Sequence, residues 1–203
     1  SANERDSGVC VVVGSALSRA GKAEEALKAV HHGSSLEELA IMVQVLLSMD
    51  RADVAAATVK DLRSRDEEAP LSQLSFAWLG IHEGGVALED AVMTIRDLED
   101  KYGTTPTLQN IRAVALMGQG RFEDAEKALM DALSSRPDHP DTLVNLIAVA
   151  QHRGKVDAVS DRFLADLRRV APEHPFLAER DLRESAFDRI ASEMGAGRVS
   201  AVE

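Results

Sequence analysis

The chain has 203 residues and a formal net charge of −11, and 45% of its residues are hydrophobic but only 3% are aromatic. This length fits one domain, and a core of Ala, Leu, Val, Ile and Met is typical of helices packed on helices. The negative charge argues against binding to nucleic-acid phosphates or anionic lipid headgroups. The single cysteine, Cys10, excludes an internal disulfide and suits a reducing compartment.

The N-terminal segment begins with the letters SANE, without Met and without a signal-type apolar stretch. We therefore expect the chain to be the C-terminal part of a longer protein. Its first helix would then present Val11, Val12 and Val13 at an open end of the molecule. A second copy or a partner would be expected to bury them there.

The clearest repeating unit lies between Thr107 and Pro137. Ala113 and Ala125 are small, as required where two helices cross closely. Gly120 marks the turn between these helices, and Pro137 ends the second one because it cannot donate a backbone hydrogen bond. This arrangement is that of a tetratricopeptide-like helix pair.

The small residue of the second helix recurs at intervals of 29, 36, 34 and 34 residues, close to the tetratricopeptide period of about 34 residues. The five positions are Ala26, Ala55, Ala91, Ala125 and Val159. All six prolines fall between predicted helices. The sequence therefore predicts an all-α fold, a right-handed tetratricopeptide-like α-solenoid of about five helix pairs that forms one domain over residues 1–194.

A last helix is predicted from Phe176 to Met194, where it would cap the open end of the stack. Its inward face is expected to consist of Leu177, Leu182, Phe187 and Ile190. Residues 195–203 are expected to form a flexible tail.

The concave side of such a solenoid is lined by the first helix of each pair, and ligands usually enter there. The side chains expected on this side mix amides, which satisfy backbone groups of an extended partner, with apolar residues, which accept its alternate side chains. The predicted partner-binding residues are Gln73, Phe76, Asn110, Val114, Met117, Val144, Asn145, Ala148 and Gln151.

Several of these residues have a purely structural interpretation as well. Asn145 could hydrogen-bond a neighbouring helix end, and Met117 and Phe76 could belong to the core between repeats. For Trp78, the core is the preferred interpretation.

The histidines do not have the spacing of a metal site. His31 and His32 are adjacent, so on a helix they diverge by about 100°, and His139, His152 and His174 lie near turns without a cysteine at ligand spacing. We therefore predict no metal, no cofactor and no catalytic residue.

A different class of function is a generic peptide-binding adaptor or chaperone cofactor that captures an acidic C-terminal tail. That task needs Lys or Arg in the groove to meet carboxylates. The corresponding positions hold Asn110, Val114, Asp141 and Asn145, which lack positive charge.

The C-terminal third carries a more specific pattern: PDTLVNLI at 140–147, QHRGK at 151–155, EHPF at 173–176 and AFDRI at 186–190. This series resembles the end of the epsilon subunit of coatomer, the COPI vesicle coat. Upstream, MVQVLL at 42–47, LSQL at 71–74 and GQGRF at 118–122 are similar to the same family in the same order.

The resemblance implies a non-enzymatic coat subunit that binds and stabilises the C-terminal region of the alpha subunit, curling around a projecting strand segment of it. Contact with other coat subunits would be indirect. The resemblance also implies a cytoplasmic protein, peripheral on Golgi membranes and COPI vesicles without inserting into the membrane, that supports transport from the Golgi to the endoplasmic reticulum.

Overall fold

The computed structural model describes residues 6–154 and 157–199, and over these ranges the chain forms eleven α-helices and no strand. The helices are α1 (Ser7–Arg19), α2 (Ala23–Val30), α3 (Leu36–Ser48), α4 (Ala52–Arg65), α5 (Pro70–Glu83), α6 (Ala87–Tyr102), α7 (Pro106–Gly118), α8 (Phe122–Ser135), α9 (Pro140–His152), α10 (Asp157–Val170) and α11 (Pro175–Val199). The all-α prediction is confirmed.

The first ten helices form five consecutive pairs. Each odd-numbered helix packs against the helix that follows it, and each of α1, α3, α5 and α7 also contacts the next odd-numbered helix. Within the described ranges, consecutive even-numbered helices do not pack on one another in this way. The first helices are therefore closer together than the second helices, so the stack is a solenoid that curves with the first helices on its inner side.

The turns inside three of the pairs share one backbone geometry. Gly21, Asp50 and Gly120 have φ values of 73°, 58° and 74°. In each case the following residue donates its backbone N–H to the carbonyl oxygen five positions earlier, as Arg51 does to Leu46 at 2.9 Å. This is the Schellman ending of a helix, and it reverses the chain in the same way in these three pairs.

The prediction that each second helix packs a small residue against its partner helix is confirmed in four of the five repeats. Ala26, Ala55, Ala91 and Ala125 are fully buried against their partner helices. The prediction is wrong for Val159, which is 37% exposed. Helix α10 begins three residues after Gly154, whereas α8 begins two residues after Gly120, so the equivalent fourth position of α10 falls one residue later.

The predicted inward face of α11 is wrong for three of its four residues. Leu177 is buried against a cluster from α9 and α10, but Leu182 and Phe187 are each 71% exposed and Ile190 is 51% exposed. Leu182, Phe187 and Ile190 follow Leu177 by 5, 10 and 13 residues. At about 100° per residue they lie about 140°, 80° and 140° away from it around the helix, so the four do not form one narrow face. Helix α11 therefore leaves the stack after its first turns.

Helix α11 also continues to Val199, beyond the predicted boundary at residue 194. Residues 200–203 lie outside the described ranges. The flexible tail stays a prediction.

Candidate partner-binding groove

The inner side of the solenoid carries two cavities, both lined by first helices. The tryptophan cavity, of about 460 Å³, lies where the C-terminal halves of α1, α3 and α5 meet. It is lined by Ser18, Gln44, Leu47, Trp78, Ile81 and His82. The asparagine cavity, of about 310 Å³, lies between the N-terminal halves of α7 and α9, and it is lined by Asn110, Ile111, Val114, Asp141, Val144 and Asn145. We call the surface that joins the two cavities the groove.

Trp78 belongs to the groove, so its assignment to the core is wrong. Its chain neighbours Ala77 and Leu79 are buried, while the indole is half-buried and lines the tryptophan cavity. One turn away, Ile81 packs against the central core, the cluster of buried residues that α5, α6, α7, α8 and α9 form. The indole of Trp78 is therefore flanked by buried residues and is accessible from the groove.

The floor of the asparagine cavity is a ladder of side-chain hydrogen bonds between α7 and α9. The amide nitrogen of Asn110 donates to the hydroxyl oxygen of Thr142 at 2.7 Å and to the carbonyl oxygen of Pro106 at 2.8 Å. The amide nitrogen of Asn145 donates to Oδ1 of Asn110 at 2.9 Å. Asn110 and Thr142 are buried, so this ladder satisfies polar groups that would otherwise be costly to bury.

The two asparagines consequently differ in what they offer to a ligand. The hydrogen bonds of Asn110 are all directed to neighbouring protein groups. Asn145 is half-buried, and its Oδ1 accepts no hydrogen bond from the described residues. Asn145 therefore makes a structural hydrogen bond, as its structural interpretation predicted, but to the side chain of Asn110 and not to a helix end. The Oδ1 atom of Asn145 remains available to accept a hydrogen bond from a ligand.

Four of the nine predicted site residues lie together in the asparagine cavity, namely Asn110, Val114, Val144 and Asn145. Ala148 lies one turn after Val144 and is half-buried, and Gln151 is exposed at the end of the same helix. Met117 packs against the central core, as its structural interpretation required.

Gln73 and Phe76 lie elsewhere, so their predicted placement on the inner side is wrong. They line a depression that α5 forms with second helices, together with Arg63 and Asp97. The guanidinium carbon of Arg63 lies 4.7 Å from the Phe76 ring centroid. Because Phe76 and Trp78 are two residues apart on α5, their side chains point about 200° apart.

A signal in the sequence identifies the correct face of α5. Helices α5, α7 and α9 each begin at a proline, Pro70, Pro106 and Pro140. Trp78 and Val114 each lie eight residues after the proline of their helix. Aligning the prolines, rather than the alanines of the second helices, places Trp78 in the groove.

In the described part of the chain, no Lys or Arg lines either cavity of the groove. Helices α3, α5 and α9 contain no Lys or Arg. Arg112 of α7 points away from the groove and forms an ion pair with Glu99 of α6 at 3.1 Å. Burial raises the pKa of Glu99, and the positive charge of Arg112 opposes that shift.

Each cavity has a carboxylate at its rim. Asp141 lines the asparagine cavity with its side chain 70% exposed. Asp50, whose side chain is 93% exposed, lies 3.1 Å from Nε2 of His82 at the tryptophan cavity. The groove thus combines apolar surface with hydrogen-bond acceptors and negative charge.

Other kinds of site have no support in the described ranges. Within 6–154 and 157–199, no three His, Cys, Asp or Glu side chains converge as they would around a metal ion. The rings of His31 and His32 lie with their centroids 3.6 Å apart and their planes tilted by 41°, and His152 stacks on Phe122. No helix in the described part of the chain has both the length and the apolar character needed to cross a bilayer.

Solved structures with the same architecture include tetratricopeptide repeat proteins. A thermophilic protein of this class from Thermus thermophilus superposes with a TM-score of 0.76, covering 86% of this chain and 96% of its own at 19% identity. A tetratricopeptide repeat protein from Parabacteroides merdae gives a TM-score of 0.62 over 85% of this chain and 67% of its own, at 17% identity. These likenesses confirm a tetratricopeptide-like solenoid.

Curated relatives define the family more narrowly. Coatomer subunit epsilon-1 of Arabidopsis thaliana is 35% identical over 81% of this chain. The epsilon subunits of Dictyostelium discoideum and Caenorhabditis elegans are 31% and 32% identical over 81% and 92% of it. The chain spans 55–64% of the length of these three relatives. Since the family pattern of the coatomer epsilon subunit also matches residues 1–195, the chain belongs to the coatomer epsilon subunit family.

Proposed function

We propose that this chain is a structural, non-enzymatic component of the COPI coat that binds and stabilises the C-terminal region of the coatomer alpha subunit through the groove. Membership of the epsilon family supports the assignment to the coat. The observation that supports the groove is the pair of cavities on the first helices, which offers apolar surface and a free amide acceptor on the inner side of a solenoid.

The cellular role follows from the same proposal. The chain would act in the cytoplasm, peripheral on Golgi membranes and COPI vesicles, and it would support carriage from the Golgi to the endoplasmic reticulum. It would reach the membrane through the coat, and its contacts with coat subunits other than alpha would be indirect.

The alternative function, capture of an acidic tail as an adaptor or chaperone cofactor, receives no support from the groove. A carboxylate clamp needs Lys or Arg side chains that line the groove, and none lines either of its cavities. The rim carboxylates Asp50 and Asp141 would repel such a tail.

The direct test is co-expression with the C-terminal region of the matching alpha subunit, followed by size-exclusion chromatography. We expect one complex at micromolar concentration, and an acidic C-terminal peptide of a chaperone should not bind. Separate elution of the two chains would contradict the proposal.

A pair of variants locates the contact. Val114→Glu places a carboxylate in the asparagine cavity and should weaken the complex at least about tenfold, because its charge would be buried against apolar surface. Met93→Glu makes the same kind of change at a residue of α6 that is exposed and lies outside the groove, and it should bind normally. Equal binding by both variants would place the contact elsewhere on the protein.

A further inference from the structure

We infer that the groove recognises an extended, basic segment with two apolar anchor side chains about six residues apart, one for each cavity. This inference rests on the proposed function, because it specifies the chemistry of the partner that the groove would hold. Its three parts are the spacing of the anchors, their shape, and the charge beside them.

The spacing follows from the positions of the two cavities. Five of the six residues that line the tryptophan cavity belong to α3 and α5, with Ser18 of α1 as the sixth, and the asparagine cavity lies between α7 and α9. The cavities are thus about two helix spacings apart, and packed helices are separated by about 8–10 Å. An extended chain rises about 3.3 Å per residue, so about five or six residues span the distance.

The direction of the segment favours a spacing of about six residues between the anchors over a spacing of five. The tryptophan cavity uses residues near the C-terminal ends of its helices, such as Leu47 and Ile81, whereas the asparagine cavity uses residues near the N-terminal ends, such as Asn110 and Asp141. The segment must therefore cross the helices obliquely, which lengthens its path. Successive side chains of an extended chain alternate between its two faces, so anchors about six apart both point into the groove, and anchors five apart do not.

The cavities differ in the anchor that each would accept. The tryptophan cavity is the larger, and the half-buried indole of Trp78 forms part of its wall, which suits an aromatic ring. The asparagine cavity is smaller and is walled by Ile111, Val114 and Val144, which suits a branched aliphatic side chain. Beside it, Oδ1 of Asn145 is available to accept a backbone N–H of the segment.

The charge of the segment follows from the rims. Asp50 and Asp141 place one exposed carboxylate at each cavity, and no Lys or Arg lines either cavity. A segment with Lys or Arg next to each anchor would gain attraction at both rims. An acidic segment would be repelled at both.

Trp78 provides a direct readout, because it is the only tryptophan of the chain. Replacing it biosynthetically with 5-fluorotryptophan gives one ¹⁹F resonance, which reports occupancy of the tryptophan cavity even in a complex with an unlabelled partner. The probe is a synthetic peptide with phenylalanine and isoleucine about six residues apart, lysine beside each anchor, and threonine elsewhere.

We expect this peptide to shift the resonance in a saturable way. Two matched peptides, one with the anchors a single residue closer and one with glutamate in place of lysine, should each bind at least about tenfold more weakly. Val114→Glu, which lies in the other cavity, should weaken the first peptide by a similar factor, while Met93→Glu should not. Equal binding by all three peptides, or no shift by any of them, would overturn the inference.

The unlabelled C-terminal region of the alpha subunit, added to the same protein, separates this inference from the proposed function. If that region binds but the peptides are not discriminated, the function stands and the recognition rule fails. If the peptides are discriminated but that region does not bind, the recognition rule stands and the assignment of the partner fails.

Discussion

Asn145 and Asn110 are joined by a side-chain hydrogen bond of 2.9 Å that bridges α9 and α7 at the floor of the asparagine cavity. Asn110 in turn donates a hydrogen bond to the buried hydroxyl oxygen of Thr142. The groove and the packing between two repeats therefore share the same side chains. Substitutions here change stability and binding together, so stability has to be measured beside any binding assay.

Asn110→Ala should lower the free energy of unfolding by about 2–3 kcal/mol, because it leaves the buried hydroxyl of Thr142 without its donor and opens a void. Asn145→Ala should cost about 1 kcal/mol, since it removes one hydrogen bond at the edge of the ladder. Urea denaturation measures both changes. Equal costs for the two variants would show that Asn110 has no special place in the ladder.

Asp50→Gly should raise the free energy of unfolding by about 0.5–1 kcal/mol. Asp50 has a φ of 58°, a conformation that glycine adopts without the steric cost paid by other residues. The contact of Asp50 with His82 is exposed at the carboxylate, so its loss should offset little of the gain.

The reciprocal change is Gly120→Ala in the matching turn of the fourth pair. A methyl group at Gly120 would meet open space, and the φ there is 74°, so its cost of about 1 kcal/mol would be conformational alone. Thermal unfolding of both variants tests the pair. A destabilised Asp50→Gly would mean that the aspartate stabilises its turn through its side chain.

The contribution of Glu99 to the free energy of unfolding should fall as the pH rises. Burial raises the pKa of Glu99 above the ordinary value of 4.5, despite the opposing charge of Arg112. The folded state therefore keeps this proton at pH values where the unfolded state has lost it. Relative to Glu99→Gln, the wild type should lose stability from about pH 4.5 upward and stop losing it once Glu99 is ionised in the folded state.

Glu38 is the control with the opposite sign. Burial by itself would raise its pKa, but hydrogen bonds from Ser35, Ser34 and Ser7 outweigh burial and lower it. Relative to Glu38→Gln, the wild type should therefore be more stable above about pH 4.5 and should lose that advantage as the pH falls through the lowered pKa. Denaturant titrations over this pH range measure both differences, and slopes of the same sign would contradict the assignment.

Ending the chain after Asp181 should leave the free energy of unfolding nearly unchanged. Leu182, Phe187 and Ile190 are exposed, so removing them forfeits little buried surface. The ion pair between Arg168 and Asp181 is retained.

Ending the chain after Val170 is the matched comparison. That truncation removes Leu177 from its cluster with Leu143 and Leu167 and should cost about 2–3 kcal/mol. Melting of the two truncated proteins distinguishes a helix that merely begins on the stack from one that caps it. A large loss after Asp181 would mean that the rest of α11 also stabilises the stack.

The fold was largely predictable because its signals are local. Pro106 begins a helix and Gly120 forms a turn through local backbone geometry. The small side chain of Ala125 allows two helices to pack closely. The candidate site was predictable only in part. Val114 and Asn145 were placed correctly because the clearest repeat supplied their register, whereas Phe76 was chosen on the wrong side of its helix.

By itself, the sequence determined the class of fold, the five helix pairs and the family, since each depends on spacings and residue types that are read along the chain. The tertiary structure alone decided that Trp78 opens into the groove, that Asn110 is committed to Thr142, and that α11 leaves the stack. These properties depend on the angle at which each helix meets its neighbours. A rotation of about 100° per residue turns a small error of register into a different face.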